Sequence, residues 1–488
     1  MVYEVAMYND ISAKNYLLHL LHVYPYDIEQ ELVLSLLCES SDSRIALLHF
    51  LEYFAHFPKF HIITKTYKPT KLSPLYTNMS LTLQTNKSNL HTHLFQFDAT
   101  IFMKHYKIQT PYAHLPLDQI PFLEKLYLHT IPILPMETSY QPLFIHKSNS
   151  FLYHNLSIDA KQFFAVSIHI GDKNGIVYIP KNQFRIGVAL ASLYEIAPPS
   201  SHIDFYILYG LSHQETTYSY YYDQTNDLYI GLMSGFSTLH NFAYLKDMVT
   251  TLYNSLSIAK KDLPVHGSML QLHFYEKTVG LLFIGKNETL KTEMIDALTN
   301  LCAQKQIAYT KVFDDNGTLH YLDNDIYATG TQIGTYVSTP ELPPQHVYEN
   351  LASSVFLKVK NQITHVLLPY TTFDQTCKFH KVDCIIYLNH DNKQQGLQYI
   401  HDLIKAKSLF KADNQPSYQK KGQLSFFDYP FGYMLQQELV DPFIDEFLNL
   451  MLIHNIKLAV FYTKSRSTSQ NTLYIKLANT LLKEILEW

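Results

Sequence analysis

The chain has 488 residues, 47% of them hydrophobic and 17% charged, with a formal net charge of −5. That is ample apolar material for several large cores, and too small a charge imbalance for a broad nucleic-acid surface. The absence of any uncharged apolar run of about 18 residues argues against a membrane-spanning helix.

The acid-containing N-terminus shows no basic, then apolar, leader pattern. Four cysteines (Cys38, Cys302, Cys377 and Cys384) are too few for a disulfide framework in a chain this long, and a reducing, cytoplasmic setting is expected. Arginine occurs only at Arg44, Arg185 and Arg466, leaving 35 lysines, and glycine occurs only 15 times. Both are residues from which phosphate and carboxylate sites are usually built.

In chain order, residues 1–110 read as mainly helical. Asn9 or Asp10 caps an apolar helix from Ile11 to Val23, a second is expected from Asp27 to Cys38, and a third from Ser43 to Phe57 after the capping run SSDSR. From about residue 60 to 240, β-branched and aromatic runs bounded by turn residues predict strands: FHIITKTY, FFAVSIHI, GIVYIP, IDFYILYG and SYYYDQTNDLYIGLM. Residues 111–262 are therefore read as a mixed, strand-rich α/β domain, closed by a helix over 241–260. Beyond residue 263, short apolar strands alternate with helical segments, the pattern of a sheet with crossover helices. Lys405 to Gly422 is polar and basic, and is expected to be a mobile loop. The fold class is α/β.

One stretch carries chemistry. Val279 to Ile284 predicts a buried strand that stops at Gly285, and a helix is expected from Lys291. Gly285, Lys291 and Thr292 have the spacing of a phosphate loop. In such a loop backbone N–H groups and a helix N-terminus cradle phosphates, the lysine reaches the outer oxygens and the hydroxyl holds Mg²⁺. Leu290 stands where the second glycine would be, so a strand–turn–helix with a chance Lys-Thr remains the other reading. Downstream, Asp314 and Asp315 follow the apolar Val312-Phe313. Paired acids at a strand end hold a metal and its nucleotide, or begin an Asp-Asp-Asn-Gly hairpin turn. The close set Cys377, His380 and Cys384 lacks a fourth ligand for structural zinc.

Taken together, LPVHGSM (263–269), the phosphate-loop spacing, the acid pair, GTQIG (330–334), VDCIIYLNH (382–390), FFDYPFG (426–432) and DPFIDEFLNLML (441–452) resemble a family. The order is similar to that of ATP-dependent phosphoenolpyruvate carboxykinases and the related HPr kinase/phosphorylases, and closest to the carboxykinase-like proteins of anaerobic Gram-positive bacteria. Weaker similarity runs back through NDLYIGLMSGF and FAYLKDMVTTLYN to about residue 115.

The resemblance implies a carboxykinase-type phosphate-loop domain over 263–488, with Mg²⁺ or Mn²⁺ and ATP as cofactors. It implies that His266, Asp314 and Thr292 hold the metal and that Gly285, Lys291 and Thr292 hold the nucleotide. Asp315 is the acid/base candidate of an active phosphotransferase. The chain departs from the family pattern at several positions. A twin lysine reads Lys246-Asp247, loop glycines are Glu288 and Leu290, and an acid is Gln332. Expected arginines fall at Ser338, near Ser353 and near His365, and an Arg-Thr-Arg reads Tyr462-Thr463-Lys464. Base composition alone would replace arginine by lysine; here most replacements lose the charge or make it conditional. The expected function is that of a catalytically impaired relative with a regulatory, binding or assembly role. It would pair with itself or with an intact paralogue, and not with nucleic acid or a membrane. The alternative is an active ATP-dependent carboxykinase or kinase.

Overall fold

The computed structural model describes residues 2–7, 32–38, 60–65, 80–84, 99–112, 114–128, 133–136, 145–148, 156–211, 218–234, 242–275, 277–285, 291–338, 355–359, 362–390, 396–410, 437–463 and 470–487. Helices and mixed sheets make up this part, so the fold is α/β.

Two nine-stranded sheets dominate it. The first runs from Ala99–Lys104 through Phe122–Leu128, Phe163–Ile170, Lys173–Pro180, Phe205–Leu211 and Leu228–Ser234 to Tyr218–Asp223 and Ile145–Ser148. Its central strands are apolar on both faces because both faces are covered. Phe164, Val166 and Ile168 share one core with the helices Phe184–Leu193 and Phe242–Ala259. Phe163, Ala165, Tyr178 and Tyr206 point into a second. The runs FFAVSIHI, GIVYIP and IDFYILYG therefore form strands as their composition predicts.

The second sheet is ordered His380–Lys381, Asp325–Gly330, Asn316–Leu322, Leu263–His273, Thr278–Gly285, Cys384–His390, Lys457–Thr463 and Gly396–Ile400. The strand Ala308–Phe313 also pairs with Leu263–His273. The long strand thus has Thr278–Gly285 antiparallel on one side, and Ala308–Phe313 followed by Asn316–Leu322 antiparallel on the other. Helix Lys291–Gln304 carries the chain across it. That helix and the helix Gln470–Glu487 cover one face through Met294, Leu298, Leu481 and Ile485. Helix Gln437–Ile453 covers the other through Ile444, Phe447 and Met451.

The remaining sheets bear on the expected organisation. A four-stranded sheet joins Ile133–Met136 to Val355–Val359, Gln362–Pro369 and Gly334–Ser338, so it draws on both sides of the 262/263 boundary. Nearer the N-terminus, Val2–Met7, Leu32–Cys38, Phe60–Lys65 and Ser80–Gln84 form another four-stranded sheet. Leu32–Cys38 is a strand where a helix is expected over 27–38, and the described residues of 1–110 are chiefly strands rather than the helices expected there. LVLSLLC is apolar at nearly every position and only seven residues long. Such a run fits a strand flanked by parallel neighbours as well as a buried helix. The helices expected at 11–23 and 43–57 lie outside the described residues. The segment 405–410 belongs to the helix Leu403–Phe410 and not to a loop, while 411–422 and FFDYPFG lie outside. No helix among the described residues is long and apolar enough to cross a membrane.

Candidate functional site

The site forms where Leu263–His273 changes neighbour. Met269 pairs with Phe313 and His266 with Asn316, which places Ser268 opposite Asp314 and Gly267 opposite Asp315. The Gly267 N–H donates to the Asp315 carbonyl at 3.0 Å. Asp314-Asp315 is therefore a bend between two strands that share one partner, and not the turn of a hairpin. A glycine is required at 267 because a Cβ there would stand 2.5 Å from the Phe283 carbonyl oxygen.

Asp315 has φ +80°, in the left-handed region that side chains other than glycine rarely adopt. In a regular strand, successive side chains would point to opposite faces. The left-handed residue breaks that alternation. Asp314 accepts hydrogen bonds from the Ser268 hydroxyl and, at 2.6 Å, from the Thr335 hydroxyl. Asp315 meets His266 Nε2 at 2.9 Å, pairs with the Lys246 ammonium, and accepts from Asn316 Nδ2 at 3.0 Å. His266 and Ser268 are two apart on one strand and so share a face. Both acids thus serve the same side of the sheet.

Burial alone would raise the Asp315 carboxyl. The Lys246 ammonium and the hydrogen bond from His266 outweigh it and hold the group well below the usual carboxylate range. Burial works against the charge on Lys246 too, and Asp315 overcomes it and raises the group. An ionised Asp315 accepts only, so His266 donates through Nε2. Lys246 also lies over the Tyr336 ring, 5.0 Å from its centroid, and Tyr336 stacks on His365 with centroids 4.9 Å apart. Burial, followed by the Lys246 charge, lowers His365.

The phosphate-loop elements lie alongside. Thr278–Gly285 is the expected strand and Lys291–Gln304 the expected helix, with Lys291 as its first residue. The Lys291 ammonium is buried and donates to the Gly285 carbonyl at 3.0 Å. Gly285 follows Ile284, which pairs with Gly267, so the strand end lies beside His266. Residues 286–290 and the Thr292 side chain lie outside the described set.

The structure thus brings His266, Asp314, Asp315, Gly285 and Lys291 into one neighbourhood. It adds Lys246, Ser268 and Thr335, which sequence reasoning gave no role. Only the position of Lys246 in the twin-lysine place hinted at it. Of the metal set expected from sequence, His266 and Asp314 are described and the Thr292 side chain is not. His266 Nε2 is committed to Asp315 rather than turned to Asp314, and both Asp314 oxygens accept from hydroxyls. The positive charge beside the acid pair is the Lys246 ammonium. As arranged, these residues hydrogen-bond to one another, and among the described residues there is no group of three or more His, Cys, Asp or Glu placed to hold a metal ion. At the second cluster, His380 spends Nδ1 on Gln271 Oε1 at 2.7 Å and Nε2 on the Gln375 carbonyl at 2.8 Å, while Cys384 is fully buried.

Thr335 is the hydroxyl that ties GTQIG to the acid pair. Replacing it with valine removes a hydrogen bond to a buried carboxylate, and unfolding in urea is expected to show a loss of about 1.5–3 kcal/mol. A Thr335→Ser variant, which keeps the hydroxyl, is expected to lose much less.

No protein-family model matches the chain, and neither does any curated protein.

Proposed function

We propose that this chain is a divergent, catalytically impaired protein of the phosphoenolpyruvate carboxykinase-like, HPr kinase-type class. In this reading it keeps the architecture of a phosphate cradle, binds a nucleotide polyphosphate weakly, and acts as a binding or regulatory protein. The observation that supports it is that the lysines of the cluster are engaged by groups of the protein itself. Lys246 is paired with Asp315, Lys291 with the Gly285 carbonyl, and Lys311 lies 3.7 Å from Asp296. Arginine contributes to none of these contacts.

A transferring phosphoryl group needs cations aimed at charge that develops in the transition state. Losing one such contact costs about 3–4 kcal/mol, and several losses remove the reaction. A helix N-terminus and one lysine are enough to bind an anion without turning it over. Any divalent ion would arrive with the nucleotide, and no chemical step is assigned to it.

Calorimetric titration with ATP, with and without Mg²⁺, tests this reading. Weak binding is expected to fall about tenfold or more in Lys291→Ala, the loss of one charge-assisted contact. A coupled carboxykinase assay is expected to show no turnover in either direction. Equal heats from the two proteins would remove the nucleotide from the reading. Metal-dependent turnover that disappears in Asp314→Asn would replace it with an active phosphotransferase. Light scattering reports whether the chain pairs with itself.

A further inference from the structure

A second pair of acids stands behind the GTQIG turn, brought together by Ile333. The Ile333 N–H donates to the Leu193 carbonyl at 2.8 Å, and its carbonyl accepts from the Tyr370 and Thr371 N–H groups, each at 3.0 Å. One residue thus fastens the chain entering the strand Glu195–Ile196 to the chain entering the helix Phe373–Cys377. Glu195 lies just beyond one end of this clamp, and Asp374, in the first turn of the helix, just beyond the other. The junction is tight, since a Cβ on Gly334 would stand 2.1 Å from the Ser192 carbonyl oxygen.

Nothing on the facing elements neutralises Glu195. It is half-buried, and no described residue hydrogen-bonds to or ion-pairs with its side chain. Its cross-strand partner is His169, a ring that faces the Pro198 carbonyl and that burial holds uncharged near neutral pH. At the adjoining hairpin, Lys173 is engaged by Asp172, as is Lys260. On the helix, the Cys377 thiol lies near both acids, and burial raises it further from ionisation. The charge that acts on Glu195 is the like charge of Asp374. Burial first, and then that charge, push the Glu195 carboxyl up to about 7.

We propose that Glu195 and Asp374 form a proton-operated catch between this strand and this helix. A proton on Glu195 lets the two elements sit together. Its loss sets two carboxylates against each other at a junction held by backbone hydrogen bonds, and the Ile333 clamp loosens. The same turn carries Thr335, whose hydroxyl holds Asp314, so the change reaches the candidate site. Glu195 is a positioning residue that acts through the clamp.

Thermal unfolding and amide hydrogen exchange of the full chain, compared with Glu195→Gln and Asp374→Asn, test the proposal. The contribution of Glu195 is fully present below about pH 4.5 and is lost as the pH rises through about 7. Glu195→Gln is therefore expected to unfold with the wild type at about pH 5 and at a higher temperature than it at about pH 8. Protection of the Ile333 and Thr371 amides, corrected for intrinsic exchange, is expected to fall severalfold between about pH 6 and about pH 8 in the wild type and to hold steady in Glu195→Gln. Asp374→Asn, a change at an exposed position, is expected to move that fall to lower pH. A glutamine variant no more stable than the wild type at the higher pH would overturn the proposal. So would a gain in stability without retained protection at the two amides, which would place the effect outside the clamp. An unmoved fall in Asp374→Asn would overturn it too, because Asp374 would then not be the opposing charge.

Discussion

Lys246→Met is expected to destabilise the protein by about 2–4 kcal/mol, somewhat less than the cost of stranding one member of a fully buried ion pair, because both side chains keep some exposure. Methionine keeps the length of the side chain and its apolar stem. The loss therefore reports the stranded, partly buried Asp315 carboxylate, which sits on a left-handed backbone residue. Adding Asp315→Asn is expected to recover much of the loss, because the asparagine oxygen still accepts from His266 and no charge remains to be compensated. Urea unfolding of the four proteins measures this. If the double variant is as unstable as the two losses summed, the pair is not the source of the effect.

The same pair sets an acid dependence. The folded value of Asp315 lies below its unfolded value, so its contribution is fully present above about pH 4 and is lost as the pH falls toward the folded value. Asp315→Asn is accordingly expected to flatten the acid limb of the stability curve. An unchanged limb would place the responsible carboxylates elsewhere.

How far the sequence revealed this arrangement depended on whether a feature was local. Runs such as FFAVSIHI and TVGLLFIG declare buried strands because both faces of each are apolar, and the helix over 291–304 follows from its own periodicity. LVLSLLC declares burial equally well but not its geometry, so only the parallel neighbours Val2–Met7 and Phe60–Lys65 make it a strand. The acid pair was legible as a pair, but its meaning was not. In a bare sequence Asp-Asp-Asn-Gly suggests a hairpin, and nothing local shows that both flanking strands hydrogen-bond to the same third strand. The reversal of facing at Asp315 depends on one backbone angle. The arrival of Lys246 depends on a helix 69 residues upstream. The resemblance placed His266, Lys291 and Asp314 near one another, whereas the pairing of His266 with Asp315 rather than Asp314 is a matter of register.

The bend is held from the core side as much as by charge, and this leads to the second large effect. Phe313, fully buried, immediately precedes Asp314. Its ring fills the space left by two glycines on neighbouring strands. A Cβ at Gly317 would meet the ring at 2.3 Å, and one at Gly330 would meet the Phe313 Cβ at 2.7 Å. Phe313→Ala empties that space, and the glycines have no side chains with which to refill it. The expected loss is about 3–5 kcal/mol, the range for truncating a buried aromatic where the site cannot collapse. Phe313→Leu, which keeps more of the volume, is expected to lose less. A local readout separates support of the bend from general core loss. The Gly267 amide, bonded to the Asp315 carbonyl, is expected to exchange with deuterium faster in Phe313→Ala than the drop in global stability alone would give. The Leu272 amide, on the same strand beyond the bend, is expected to follow the global change. If both amides move together, Phe313 stabilises the sheet without shaping the site, and the bend rests on the Lys246–Asp315 pair and its hydroxyl partners.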